Sequence, residues 1–450
     1  MHRLVKLSTI AAALLPLFAQ AATHYVRPGS TGANTGADWA NAYTTLPTKL
    51  VRGDTYYLAD GSYGAHVFND AASGTSQIAI VKATPASHGT ATGWSDAYGA
   101  GQATFTNWQI YTSYYRFDGQ RRNADWWAGA TSQYGLRVAG SSPVRLDNGA
   151  GSGANNLYFR YVDFKGGGRD TGDGDDVIYG LTGNSNLTFQ DCALHDSDRT
   201  IFLMRDNWQN LVVDHSYLAR NTSTPATHGE MLSMTDSTNV TWSNNVMEDI
   251  EGTAFIAGLN GGTATNWRIF GNVAFHSAAY IADTGRKAGH NFGVAGFVFI
   301  ANDASNNNQG NNFLVYNNTI ANVQGTWSGV IIQSGSGNDV RNNIWYASTR
   351  TNNSFTGNLS NNWYYQTLQD GDSSTSKTVC TTNCNVFVNV AAKNFRLTSS
   401  IGGGVALAAP YTVDSDGVTR AVDGSWDRGA YDYFGSALSK VTAPLFLLAN

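Results

Sequence analysis

Apolar residues along this chain come in short runs, each announced by an asparagine. Asn156-Leu157-Tyr158-Phe159 opens one pulse. Asn186-Leu187-Thr188-Phe189, Asn210-Leu211-Val212-Val213, Asn239-Val240-Thr241-Trp242, Asn266-Trp267-Arg268-Ile269, Asn312-Phe313-Leu314-Val315 and Asn338-Asp339-Val340 open the next six. Most steps are 24 to 30 residues, and the longer one, from Asn266 to Asn312, predicts an inserted loop around Asp283 to Asn291. Each pulse carries a second short apolar run: Val177-Ile178-Tyr179, Thr200-Ile201-Phe202, Met231-Leu232-Ser233, Ala254-Phe255-Ile256, Phe297-Val298-Phe299 and Val330-Ile331-Ile332. Runs of three or four apolar or β-branched residues suit strands and are too short for helices. Strands recurring every two dozen residues, with no helical pattern between them, are not βαβ units. They predict an all-β solenoid, a single-stranded right-handed parallel β-helix in which each coil stacks on the one before. Asn245, Asn272, Asn318 and Asn343 recur one step further on. Asparagine tolerates left-handed backbone angles and bonds to turn backbone, so these positions are expected to stack as an internal amide ladder.

Composition agrees with that reading. Charged residues make up 14% of the chain and glycines number 49, as suits a turn-rich β protein. The net charge of −5 argues against a nucleic-acid or anionic-membrane partner. At the N-terminus, Arg3 and Lys6, the apolar run Thr9 to Phe18 and Ala19-Gln20-Ala21 follow the order of a secretory signal. Residues 1–21 are therefore expected to be a signal peptide, 22–435 the coil with an N-terminal cap and a C-terminal closing segment, and 436–450 a tail. The mature protein is expected outside the cytoplasm, as a monomer. In that setting Cys380 and Cys384 are expected to form a disulfide, and Cys192 to lie in the core.

The coil also gathers chemistry. Asp175-Asp176, Asp198-Arg199, His228-Gly229-Glu230 and Glu251-Gly252-Thr253 each precede the second strand of four consecutive pulses. Aligned on those strands, Asp175, Asp198 and His228 share one line and Asp176 and Arg199 the next, with neighbours about 5 Å apart. Stacked carboxylates repel unless compensated. The cluster is therefore either a charge-compensated network or an active site with two carboxyl groups flanking a glycosidic bond. The acid/base set is expected among Asp176, Asp198, Glu230 and Glu251, with Arg199 and His228 holding substrate and tuning pKa values. Upstream, Asp170, Asp173, Asp175 and Asp176 crowd into Arg169–Asp176, a spacing that admits Ca²⁺ but lacks the order of an EF-hand. No cofactor is required by this reading. Arg205 and Trp208 in one loop, Trp126-Trp127 in another, and Arg286 with His290 on the long insertion are candidate sugar or uronate contacts.

A family resemblance rests on separate residues. Gly53-Asp54-Thr55-Tyr56-Tyr57-Leu58-Ala59-Asp60-Gly61-Ser62-Tyr63, Gly74-Thr75 before Ile78-Ala79-Ile80, and Tyr115-Arg116-Phe117-Asp118-Gly119 carry it at the N-terminal end. Asn394-Phe395-Arg396-Leu397, Asp416-Gly417-Val418-Thr419-Arg420 and Asp427-Arg428-Gly429-Ala430-Tyr431-Asp432-Tyr433 carry it at the C-terminal end. With these the chain resembles the secreted pectate-lyase-like superfamily, and its N-terminal part is similar to the branch of chondroitinase B and alginate lyases. The resemblance implies a parallel β-helix acting on polysaccharide. That branch uses a Lys base and an Arg acid in a local setting that this sequence does not reproduce, so its catalytic residues do not carry over.

The functional expectation is a polysaccharide-degrading glycoside hydrolase. The alternative is a lyase that cleaves a uronic-acid polymer by β-elimination, with Arg199 or His228 moving the proton. A non-catalytic carbohydrate-binding surface protein is a third reading.

Overall fold

The computed structural model describes residues 21–147, 153–172, 174–181, 183–224, 229–290, 296–300, 307–325, 327–351, 355–369 and 371–434. The expected signal peptide (apart from Ala21) and tail lie outside these residues, as do Asp173 and His228.

The chain winds into parallel coils whose strands form three ladders. The first runs through twelve strands, from Thr23–Val26 by way of Leu157–Arg160, Ser185–Gln190 and Trp208–Asp214 to Asn358–Ser360. The second includes Val162–Lys165, Ala193–His195, Tyr217–Ala219, Val246–Glu248 and Val273–Phe275. The third includes Ile178–Gly180, Phe202–Met204, Leu232–Met234, Phe255–Ile256 and Gly296–Ile300. The long strand Ala103–Ile110 pairs with both of the later ladders and joins them at the N-terminal end. The sheets thus stack as in a right-handed β-helix, the architecture the pulses predict.

Each pulse contains three strands, not two. The second-ladder strands are the ones the pattern does not announce. They are three or four residues long, and in the later coils several of their outward positions hold apolar residues, because the C-terminal segment covers that face. Tyr217, Val246, Val273 and Ile344 pack there against Phe387, Phe395, Leu397 and Tyr431. With both faces buried, a strand loses the alternation that betrays it.

Inside the coil, equivalent residues of successive turns stack. The Phe117 and Phe159 rings are 5.0 Å apart and near parallel, and Phe159 and Phe189 are 4.6 Å apart. The amide ladder is present: Asn245 donates to Asn272, Asn272 to Asn318, Asn318 to Asn343 and Asn343 to Asn362, at 2.9 to 3.1 Å. A second ladder forms outside, on the pulse-opening residues, from Asn156 through Asn186, Asn210, Asn239 and Asn266 to Asn312. These six residues all have positive φ, which places an asparagine at each corner. The long insertion, expected as a loop, contains two short helices, Ala278–Ala282 and Thr284–Gly289. Cys380 and Cys384 are disulfide-bonded, and Cys192 is buried at the bend before Ala193.

Candidate functional site

The register of the third ladder rearranges the expected columns. Ile178 pairs with Phe202, Phe202 with Leu232 and Leu232 with Phe255. Counting back, Asp198 is level with Gly174 and Glu251, Asp175 with Arg199, and Asp176 with Thr200, Glu230 and Thr253. The sequence alignment therefore slips by one residue between the first two coils: it sets Val177 against Thr200, whereas Val177 faces Ile201. Both runs are apolar for several residues, so hydrophobicity alone does not fix their register. Asp175 and Asp198 do not share a line. Glycines hold the adjacent column: a Cβ on Gly229 would come within 2.0 Å of the Thr222 carbonyl oxygen, and one on Gly252 within 1.8 Å of the Gly229 oxygen. That close approach sets Glu230 and Glu251 at the edge of the coil.

Most of the predicted acids are committed to partners. Asp176 is buried and clamped by the Arg199 fork, and its Oδ1 accepts from the Thr200 amide at 3.1 Å. Burial raises its pKa against the pull of Arg199. Asp198 accepts from the Thr171 and Gly174 amides at 2.8 and 2.7 Å, which pins the Arg169–Asp176 loop across the coils. Asp175 accepts from the Ser142 hydroxyl. Asp170, Asp175 and Asp176 thus point to three different partners, and the calcium grouping read from their spacing is not assembled among the described residues.

The pinned loop delivers Arg169 and Asp170 to Glu251, three coils on in sequence but adjacent in space. Glu251 is completely buried. Its Oε1 accepts from Arg286 Nη1 at 2.9 Å, and its Oε2 accepts from the Ser223 amide at 2.5 Å and lies 2.9 Å from His290 Nδ1. The Arg286 fork also reaches Asp170, whose Oδ1 lies 3.8 Å from His290 Nε2 and accepts from the Thr222 hydroxyl. Arg169 Nη2 stands 3.9 Å from Glu251, with its guanidinium over the Tyr280 ring. Burial opposes the charge on Arg286, but hydrogen bonds to Asp170 and Glu251 more than offset it and raise its pKa. Arg169 shifts the other way, through burial first and the neighbouring Arg286 charge second. Asp170 also loses by burial, yet Arg286 holds its carboxyl below the ordinary range. Its side chain is 42% exposed and that of His290 17%, so the cluster opens to solvent on the Asp170 side.

Chemically, the buried Glu251 fixes the imidazole. A carboxylate at Nδ1 accepts that nitrogen's N–H hydrogen bond, which leaves Nε2 as the ring's accepting nitrogen, on the solvent-exposed side 3.8 Å from Asp170 Oδ1. Two guanidiniums sit within the same cluster and supply positive field.

The aromatic candidates fall elsewhere. Trp208 is 1% exposed and belongs to the core, so it offers no face to a sugar. Its indole N–H donates to the Arg205 carbonyl and fixes the turn that Arg205 begins. Trp126 and Trp127 lie on the outer face of the second ladder, under Arg122 and beside Arg396, not with Glu251. The sequence reading places Arg286 and His290 near a groove but does not join them to Glu251, and it gives no role to Arg169 or Tyr280. Those contacts depend on the path of a loop and an insertion, which periodicity does not encode.

No protein-family model matches this chain, and no curated protein matches it. Among solved structures, it is similar to the pectate lyase Pel9A, at 14% identity and a TM-score of 0.45, over 92% of this chain and 97% of that one. A mannuronic acid specific polysaccharide family 6 lyase from human gut microbiota is 12% identical, with a TM-score of 0.38, over 70% and 61%. The PL6 family alginate lyase AlyGC is 12% identical, with a TM-score of 0.31, over 73% and 51%. These likenesses concern the coil, and the chemistry rests on the residues above.

Proposed function

We propose that this chain is a polysaccharide-active enzyme that cleaves a uronate-containing polymer by β-elimination at the Glu251–Arg286–His290 cluster. The observation that carries the reading is the imidazole of His290, held through Nδ1 by a wholly buried carboxylate and flanked by Arg286. Elimination needs a base at the carbon next to the uronate carboxyl and a cation beside that carboxyl to stabilise the developing charge. His290 Nε2 takes the proton, the electron pair forms the ring double bond, and the bond to the glycosidic oxygen breaks. The leaving oxygen collects a proton. Arg286, and Arg169 behind it, supply the positive field. Pectate and alginate lyases are among the solved structures that share this coil.

A second reading, hydrolysis, draws on the shared column of Asp176 and Glu230. Two coils separate them, about 10 Å along the backbone, near the range that admits an attacking water between carboxyl groups. The raised pKa of Asp176 suits a general acid. The commitment of that carboxylate to Arg199 weighs against this reading.

Digestion of a polysaccharide panel separates the two. Elimination gives unsaturated ends that absorb in the ultraviolet, lost in His290→Gln and retained in Asp176→Asn. Reducing ends without that absorbance, lost in Asp176→Asn, establish hydrolysis. Binding without any new ends establishes a module.

A further inference from the structure

The third-ladder strands have two ends. Asp176 and Arg199 stand just before Ile178–Gly180 and Phe202–Met204. Beyond the other end of the same two strands lies a pocket of about 460 Å³, lined by Asn155, Asn184, Ser185, Asp206, Asn207 and Gln209. Asp206 is seven positions on from Arg199, at most about 25 Å of extended chain. The outer face between them carries Tyr179 with the Arg145 guanidinium over its ring.

The pocket is built, not incidental. Asp206 and Asn207 both take left-handed backbone angles, with φ of 59° and 57°. The turn is tied down by the Trp208 indole on the Arg205 carbonyl and by the Thr235 hydroxyl, which accepts from the Asp206 amide at 2.7 Å. Gly183 completes the floor: a Cβ there would come within 2.5 Å of the Asp206 carbonyl oxygen. Asn184 is buried, and its Oδ1 has no hydrogen-bond partner among the described residues.

The lining reads as a chemical preference. Among the described residues it offers amides, a hydroxyl and one carboxylate, with no cationic side chain. Asp206 repels a carboxylated sugar, while amides and a carboxylate are good partners for neutral hydroxyls. We propose that this pocket is a subsite for a neutral, hydroxyl-rich sugar unit. On the elimination reading above, on which this part rests, the polymer therefore mixes uronate with neutral sugars and is not a uronate homopolymer.

The test has a binding arm and a cleavage arm. Cellobiose, lactose and mannobiose are titrated into the His290→Gln protein and followed by NMR. At least one of them is expected to saturate the pocket, and Asp206→Lys or Gln209→Ala to weaken it about tenfold. A diuronate is not expected to compete. In cleavage, kcat/KM is expected to favour a mixed uronate–neutral polymer over homopolyuronate, and Asp206→Lys to shrink that ratio about tenfold. Absence of any disaccharide response, together with equal cleavage of both polymers, overturns the subsite. Saturable disaccharide binding with no unsaturated product from any polymer overturns the elimination reading instead and leaves the subsite standing.

Discussion

Of the described histidines held by carboxylates, His195 and His290 differ most in what is left over. His195 lies on the second ladder. Its Nε2 meets Asp163 at 2.8 Å and its Nδ1 meets Asp196 at 2.7 Å, while Arg220 binds Asp196 and Arg137 binds Asp163. Burial works against its charge, but the two carboxylates outweigh it and raise its pKa. Both ring nitrogens are spent, and the side chain is 5% exposed. His290 has one strong partner, Glu251, and its other nitrogen faces Asp170 across a gap. Saturation, rather than residue type, separates a structural histidine from one able to move a proton.

The sharpest way to break that contrast is to remove each imidazole. His290→Gln is expected to lower the rate of unsaturated-product formation by about 10²–10⁴-fold, the usual worth of a general base, with an unchanged melting temperature. His195→Gln is expected to leave the rate per folded molecule within about twofold and to lower the melting temperature. A reversed outcome would exchange the roles of the two sites.

How far each region is legible in sequence follows the same divide. The coil shows in Asn156, Asn186, Asn210, Asn239, Asn266 and Asn312, because one corner geometry demands one residue type at every turn. The internal ladder of Asn245, Asn272, Asn318 and Asn343 is legible because each amide bonds the next, although the left-handed angles fall one residue earlier, on Asn244, Gly271, Asn317 and Asn342. Glu251 and Arg286 are visible as candidates, but not as partners. Their meeting depends on Asp198 pinning the Arg169–Asp176 loop and on the helices after Ser277, and neither repeats. The Asp163–His195–Asp196 network escapes notice because its members meet across neighbouring coils of the second ladder, whose short strands the Asn-led pulses do not announce.

Next in size is the carboxylate that closes the His195 site. Asp163 is completely buried. Asp163→Asn leaves Arg137 and a protonated His195 without their deepest counter-charge, at a cost of about 3–5 kcal/mol. Denaturant unfolding of the variant reads this directly. A loss under 1 kcal/mol would show that Asp196 and Arg220 hold the imidazole without help.

Protonation offers a third comparison, because a buried histidine without a close carboxylate should behave oppositely. His66 is buried, its Nε2 has no hydrogen-bond partner among the described residues, and burial lowers its pKa from 6.5 to about 4 despite Asp70. Between those values the unfolded chain binds the extra proton and the folded chain does not. Stability is therefore expected to fall as pH drops from 6.5 towards 4, by up to about 3 kcal/mol. His195, raised instead, contributes stability that is complete below 6.5 and is lost as pH rises through its folded pKa. Chemical denaturation across this range should show a slope that His66→Gln flattens on the acid side only.

The smallest effect tests whether the His195 network extends to the C-terminal segment as one unit. From Arg220 the chain of contacts runs to the Tyr217 hydroxyl, then to Glu248 Oε2 at 2.7 Å, where Lys393 Nζ also binds at 2.7 Å. Lys393→Ala removes the last link. Glu248 keeps the Tyr217 hydroxyl, so no buried carboxylate is stranded, and Lys393 itself is 27% exposed and partly screened. The expected loss is about 1 kcal/mol. A double-mutant cycle of Lys393→Ala with Asp163→Asn measures the coupling. Additive losses mean that the segment rests on Phe387, Phe395 and Leu397 by apolar contact and the ion pair only trims it. A coupling near the whole effect of Lys393→Ala means that the charges behind the second ladder act together, which the saturated His195 site shares and the open His290 site does not.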